Sequence, residues 1–150
     1  MKVELIDLKK RYQQEKSEIL KIIDSVLKKG HLIMTKEVYQ FEKAICKFTG
    51  AQFCSSLNSG TDALMMALWS SGIKKGDEVI TSSKSFIATI GAIVHVGAKP
   101  VLVDVGNDLN INADLIEKKI NRKTKAIVPV HWTGRMCDMD KIVFLAKKYH

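Results

Sequence analysis

Four short apolar segments, Phe53 to Asn58, Glu78 to Ser82, Val101 to Val105 and Ala126 to His131, begin about 23 to 25 residues apart, and helix-patterned stretches fill the gaps between them. A strand, a crossover helix and two turns occupy about that length, so the rhythm predicts consecutive βα units on a parallel α/β sheet. The intervening helices are expected at Thr61 to Ser71, Ser85 to Val96, Ala113 to Ile120 and Met139 to Tyr149, with Asn112 and Asp138 as N-caps. Pro129 falls inside the fourth segment, where it removes a ladder donor, so that strand is expected to be at an edge or irregular.

The first fifty residues follow a different period. Ile19, Ile22, Ile23, Val26 and Leu27 recur at three- and four-residue steps and are followed by Gly30, which reads as a helix and its C-terminal glycine. A second helix is expected with Val38, Phe41, Ala44, Ile45 and Phe48 on its buried face and Gly50 at its end. With 46% hydrophobic residues in 150, the chain has enough apolar material for a core.

The formal charge of +8 raises nucleic-acid binding, but the lysines are diffuse pairs, such as Lys28-Lys29, Lys74-Lys75, Lys118-Lys119 and Lys147-Lys148, near helix ends and turns. No arginine-rich or aromatic-interleaved stripe accompanies them, so no nucleic-acid partner is expected. Cys46, Cys54 and Cys137 are widely separated, without a CxxC pair or a matching histidine cluster, which argues against a disulfide framework or a structural zinc. Met1 to Asp7 lacks a signal-peptide core, and the mostly apolar run Phe86 to Ala98 is too short to cross a bilayer, so a soluble cytoplasmic protein with no metal and no membrane partner is expected.

Ligands of open α/β sheets bind beyond the carboxyl ends of the strands. Four segments gather there on this reading: Ser59-Gly60-Thr61, Ser83-Lys84-Ser85-Phe86, Asp104, and His131-Trp132-Thr133-Gly134-Arg135. The first suits an anion, because free N–H groups, the positive end of a helix and an approachable glycine converge; the same Ser59, Thr61 and Asp62 are also ordinary helix-capping residues. With no GxGxxG after the first strand and no GxxxxGK[ST], a single monoester phosphate fits better than a dinucleotide. Phe86 reads either as a stacking surface for a flat ligand or as core, His131 as a substrate-orienting group or a loop anchor, and Asp104 as a site residue or a turn residue.

Taken together these turns resemble the DegT/DnrJ/EryC1/StrS family of pyridoxal-phosphate-dependent sugar aminotransferases. The resemblance rests on Leu5-Ile6-Asp7-Leu8, Phe41-Glu42, Asn58-Ser59-Gly60-Thr61-Asp62-Ala63-Leu64, Gly76-Asp77-Glu78-Val79-Ile80, Ser85-Phe86-Ile87-Ala88-Thr89, Gly97-Ala98-Lys99-Pro100-Val101 and Pro129-Val130-His131, in that order along the whole chain. It implies the three-layer α/β/α large domain of fold type I transferases, with residues 1–50 a helical N-terminal segment and 51–150 its βα units. It implies pyridoxal 5'-phosphate held by Ser59, Gly60 and Thr61 with Phe86 stacked on its ring, and His131 as a substrate contact. The family moves an amino group, usually from glutamate, onto the keto carbon of a nucleotide-linked deoxysugar, in amino-sugar and polysaccharide biosynthesis, and its members are homodimers.

Two departures accompany the resemblance. Lys84 stands where the family more often carries an apolar or aromatic residue, and Thr35 where many members have glycine. The aspartate that pairs with the pyridine nitrogen and the lysine that forms the Schiff base match no position here, so no catalytic residue is assigned. A lysine in ordinary surroundings is mostly protonated and a poor nucleophile. Leu145 to His150 reads as a helix about to enter another strand, which makes the chain the N-terminal part of a larger domain and inactive alone. The alternative is a non-catalytic truncated or split-gene product that binds a partner chain or a phosphate ligand.

Overall fold

The computed structural model describes residues 5–150. Met1 to Glu4, which entered the reading of the chain's start, lie outside them. The chain divides into two compact units, one ending at Ser56 and one spanning Leu57–His150.

The first unit is built of two helices. The first, α1 (Leu8–Lys28), starts at Asp7, whose side chain accepts the Lys10 N–H at 2.8 Å, and ends before Gly30 at φ 70°. The second, α2 (Lys36–Thr49), ends on Gly50, whose φ of 75° is the left-handed cap that glycine adopts without a Cβ penalty. Thr35 is the N-cap of α2 with φ −77°, a backbone open to any residue, so glycine is not required there. Neither helix buries a residue, and Phe41 and Phe48 are 57% and 89% exposed. The second helix forms where the apolar spacing placed it, but the expected burial of its Val38, Phe41, Ala44, Ile45 and Phe48 face is not present. Nor does a strand form over Phe53 to Asn58. A strand exists through its neighbour's hydrogen bonds, and this segment has no ladder partner among the described residues. Phe53 is instead 82% exposed, and the Ser56 N–H donates to Glu42 Oε1 at 2.8 Å.

The second unit carries the sheet. Its elements are α3 (Gly60–Ser70), β1 (Glu78–Ser82), α4 (Ile87–His95), β2 (Lys99–Val103), α5 (Ala113–Ile116) with a 3-10 turn at Glu117–Lys119, β3 (Thr124–Val128) and α6 (Met139–Tyr149). The three strands are parallel in the order β2-β1-β3. β2 lies two residues earlier than expected and accepts Pro100 because it is an edge of this sheet. β3 occupies the other edge and stops before Pro129, which resolves the proline; the register also slips at Glu78/Val79, leaving Lys125 as a bulge.

Alternation along the strands feeds two cores. Val79, Ala126 and Val128 meet Leu64, Leu68, Ala92 and Ile93 of α3 and α4 on one face. Ile80, Val103 and Ile127 meet Ile116, Ile142 and Leu145 of α5 and α6 on the other. The connection from β1 to β2 uses the first face, and the connection from β2 back across to β3 uses the second. Reversing direction while changing face is what right-handed crossovers require. The result is a three-layer α/β/α arrangement with β1, almost wholly buried, at its centre.

Candidate functional site at the carboxyl edge of the sheet

Helices α3, α4 and α6 run antiparallel to the strands they adjoin, so their N-termini and the turns after β1, β2 and β3 share one edge of the sheet. At α3, Ser59 is the N-cap: its Oγ accepts the Asp62 N–H at 3.1 Å and donates to Asp62 Oδ2 at 2.8 Å. Its hydroxyl is thereby committed to the cap. The Ala63 N–H donates to the Ser59 carbonyl at 3.0 Å, which leaves the Gly60 and Thr61 N–H groups as the first-turn donors without an internal acceptor. A Cβ built on Gly60 meets nothing within 4 Å, so the approach to those amides is open. Phe86 is the N-cap residue of α4 and is 71% exposed, so its ring is a free surface and not core.

The turn after β3 is held by a residue that sequence inspection passed over. Asn110 is 1% exposed; its Oδ1 accepts the Trp132 N–H at 2.9 Å, and its Nδ2 lies 3.1 Å from each of the Arg135 and Met136 carbonyls and Asp108 Oδ2. That clamp sustains Thr133 at φ 53°, a left-handed conformation costly for a β-branched residue. In the sequence Asn110 is one polar residue in Asp108-Leu109-Asn110, indistinguishable from a solvated turn. His131 is exposed, and its Nδ1 accepts the Cys137 N–H at 3.1 Å, so the neutral ring carries its hydrogen on Nε2, which faces no acceptor among the described residues. Burial pushes the Cys137 thiol up, and its Sγ lies 3.2 Å from the Val130 carbonyl, which makes it a packing group. Asp104 Oδ1 receives the Ser83 hydroxyl at 3.3 Å, joining the turns after β1 and β2. Lys84 Nζ lies 5.1 Å from the centroid of the Trp132 ring, joining those after β1 and β3.

The edge therefore unites Gly60, Thr61, Phe86, Lys84, Asp104 and His131 in one unit of the chain. A cleft of about 400 Å³ lies elsewhere, lined by Thr124, Lys125, Leu145 and Tyr149 along β3 and the end of α6. Its lining includes none of the carboxyl-edge groups, so the chemistry is read from the edge. Among the described residues no group of three or more His, Cys, Asp or Glu side chains is placed to hold a metal, and no helix is long and apolar enough to cross a membrane.

Residues 13–150 match the DegT/DnrJ/EryC1/StrS aminotransferase family. The chain belongs to this family. Over 150 residues it is 39% identical to the "Pleiotropic regulatory protein" of Geobacillus stearothermophilus, covering 99% of this chain and 40% of that one. It is likewise 39% identical over 148 residues to the UDP-2-acetamido-2-deoxy-3-oxo-D-glucuronate aminotransferase of Pseudomonas aeruginosa, covering 98% of this chain and 41% of that one. The crystal structure of NtdA from Bacillus subtilis, with bound cofactor PMP, superposes with a TM-score of 0.89 at 36% identity, covering 91% of this chain and 32% of that one. The chain thus spans about 40% of the length of the curated relatives it matches.

Proposed function

We propose that this chain is the N-terminal portion of the coenzyme-binding large domain of a pyridoxal-phosphate-dependent aminotransferase. Residues up to Gly50 form its helical lead segment and the rest its βα units. The full-length protein transfers the amino group of glutamate to the keto carbon of a nucleotide-linked deoxysugar, in the cytoplasm and as a homodimer. One observation carries the cofactor assignment: within a member of this family, two unpartnered amides, Gly60 and Thr61, stand at the N-terminus of an eleven-residue helix at the same sheet edge as the exposed Phe86 ring.

The residues present fit the group. A phosphate monoester takes hydrogen bonds from the Gly60 and Thr61 N–H groups and the Thr61 hydroxyl, and gains from the helix dipole. Ser59 acts one step removed, fixing the first turn and tying back the Asp62 carboxylate that would otherwise repel the phosphate. Phe86 offers its ring as a flat apolar wall. His131, with Nδ1 engaged, presents Nε2 as a donor toward substrate oxygen. When bound, pyridoxal phosphate supplies the electron sink for the amino transfer, and the protein contributes placement and exclusion of competing reactions. The Schiff-base lysine has no counterpart in these 150 residues, so the chain alone does not turn over.

The test is cofactor retention by the full-length protein, followed through the visible absorbance of the bound coenzyme during dialysis. Thr61→Val and Phe86→Ala are each expected to weaken retention by about tenfold, the order of one charged hydrogen bond or one aromatic contact. Unchanged retention in both variants removes the assignment.

A further inference from the structure

One group at the carboxyl edge is left without a role: Lys84. Because β1 and β3 are paired and parallel, the turns that follow them meet, and the Lys84 ammonium lies 5.1 Å from the Trp132 ring centroid. Both members are fixed from beneath. The Lys84 N–H donates to Ser82 Oγ at 3.2 Å, and Ser82 is 1% exposed. The Trp132 N–H donates to Asn110 Oδ1 at 2.9 Å, and Asn110 is also 1% exposed. Lys84 itself is half-buried, unlike the many solvated lysines of this chain. No carboxylate among the described residues lies within ion-pair distance of it; the six ion pairs use Arg11, Lys28, Lys29, Lys99, Lys141 and Lys148.

An ammonium resting on an indole face is attracted by the ring quadrupole for about 0.5 to 1 kcal/mol, but the contact uses none of its three N–H donors in a hydrogen bond to oxygen. The side chain is therefore held in place with its charge unneutralised and its donors free, two residues before Phe86 in the same turn. A positioned, unpaired cation lends itself to receiving an oxyanion. We propose that Lys84, seated on Trp132, is a specificity residue that binds an oxyanion of the substrate, either a carboxylate or a phosphate. The inference rests on the aminotransferase reading above, in which that anion belongs to the amino donor or to the diphosphate of the sugar nucleotide.

The experiment uses the full-length holoprotein and two anionic probes, glutarate for a donor carboxylate and inorganic pyrophosphate for the diphosphate. Binding is measured by calorimetry for the wild type, Lys84→Met and Lys84→Arg, with coenzyme absorbance recorded for each. Lys84→Met, which keeps the apolar stem over Trp132, is expected to weaken one probe about tenfold, as expected for loss of one charged hydrogen bond, and Lys84→Arg to recover most of it. Loss for glutarate alone identifies the donor carboxylate, and loss for pyrophosphate alone the diphosphate. Equal affinities in wild type and Lys84→Met, or no affinity for either probe in the wild type, overturn the assignment of Lys84. Failure of the wild type to retain coenzyme counts against the aminotransferase reading, and the two failures are read from separate signals.

Discussion

At the scale of single residues, Asn110 and Glu37 carry the sharpest consequences. Replacing Asn110 by alanine removes three contacts in which its Nδ2 is the donor and one in which its Oδ1 is the acceptor, from a side chain that is 1% exposed, stranding the Trp132 N–H and the Arg135 and Met136 carbonyls. A buried donor left unmatched costs its desolvation, so Asn110→Ala is expected to lower stability by about 2 to 4 kcal/mol. Urea unfolding of the 150-residue chain measures it, and a loss below about 0.5 kcal/mol, the range of neutral surface changes, would show that the clamp is not needed. Glu37 shows the opposite regime. The Lys29 ammonium, 2.6 Å from its carboxylate, and the amide at the start of α2 hold its pKa down at about 2, from an ordinary 4.5. Its folded pKa is depressed, so whatever it contributes to stability is present above pH 4.5 and fades as the pH falls toward about 2. Both side chains are solvated, so the pair is a weak stabiliser. Carboxyl NMR titration is expected to find Glu37 near 2, and Lys29→Met to return it toward 4.5. A wild-type value already near 4.5 means the pair does not persist in solution.

At the scale of elements, legibility followed from where each element gets its specification. Helices α2, α3 and α6 were readable because local signals mark them: Gly50 past the end of one, Ser59 and Asp138 at the starts of the others. β1 was readable to the residue because the run from Glu78 to Ser82 is centred on the β-branched Val79, Ile80 and Thr81 and is bounded by the turn signals Gly76-Asp77 and Ser83. Phe53 to Asn58 is as short and partly apolar but has no β-branched residue, and composition is in any case a weak guide to a strand, since pairing is a property of the neighbour. The site divided along the same line. Gly60, Thr61 and Phe86 sit in turns whose positions follow from the βα rhythm, and the structure brings them to one sheet edge. Asn110 was invisible because its burial depends on Arg135 and Met136, about 25 residues away. The central position of β1 also fixes the cost of damage. Ile80 is 0% exposed and packs into the core beneath α5 and α6, so Ile80→Ala is expected to cost about 3 to 4 kcal/mol through lost burial and the cavity left. Solvent-face Val143→Ala on α6, 42% exposed, is expected to cost under about 1 kcal/mol by the same unfolding assay.

At the scale of the whole molecule, burial is distributed unevenly along the sequence. Every buried residue of the two apolar cores lies between Leu68 and Leu145, inside the second unit, while α1 and α2 bury none. Helical stability in proteins comes mostly from packing an apolar face, and an isolated helix of α1's length is marginal in water. The sheet unit therefore carries its own stabilisation, and the two N-terminal helices depend on covering Ile22, Ile23, Leu27, Phe41 and Phe48, which stand 47% to 89% exposed. Native-state hydrogen exchange on the 150-residue chain separates these behaviours. Amides of β1 and α4 are expected to exchange only through cooperative opening of the sheet unit, whereas those of α1 open at a free energy close to zero and exchange at least a hundredfold faster. In a homodimer seated on those apolar faces, α1 and α2 are expected to gain protection while β1 changes little. Equal protection of α1 and β1 in the isolated chain would overturn this division, since it would require the helices to share the cooperative unit of the sheet.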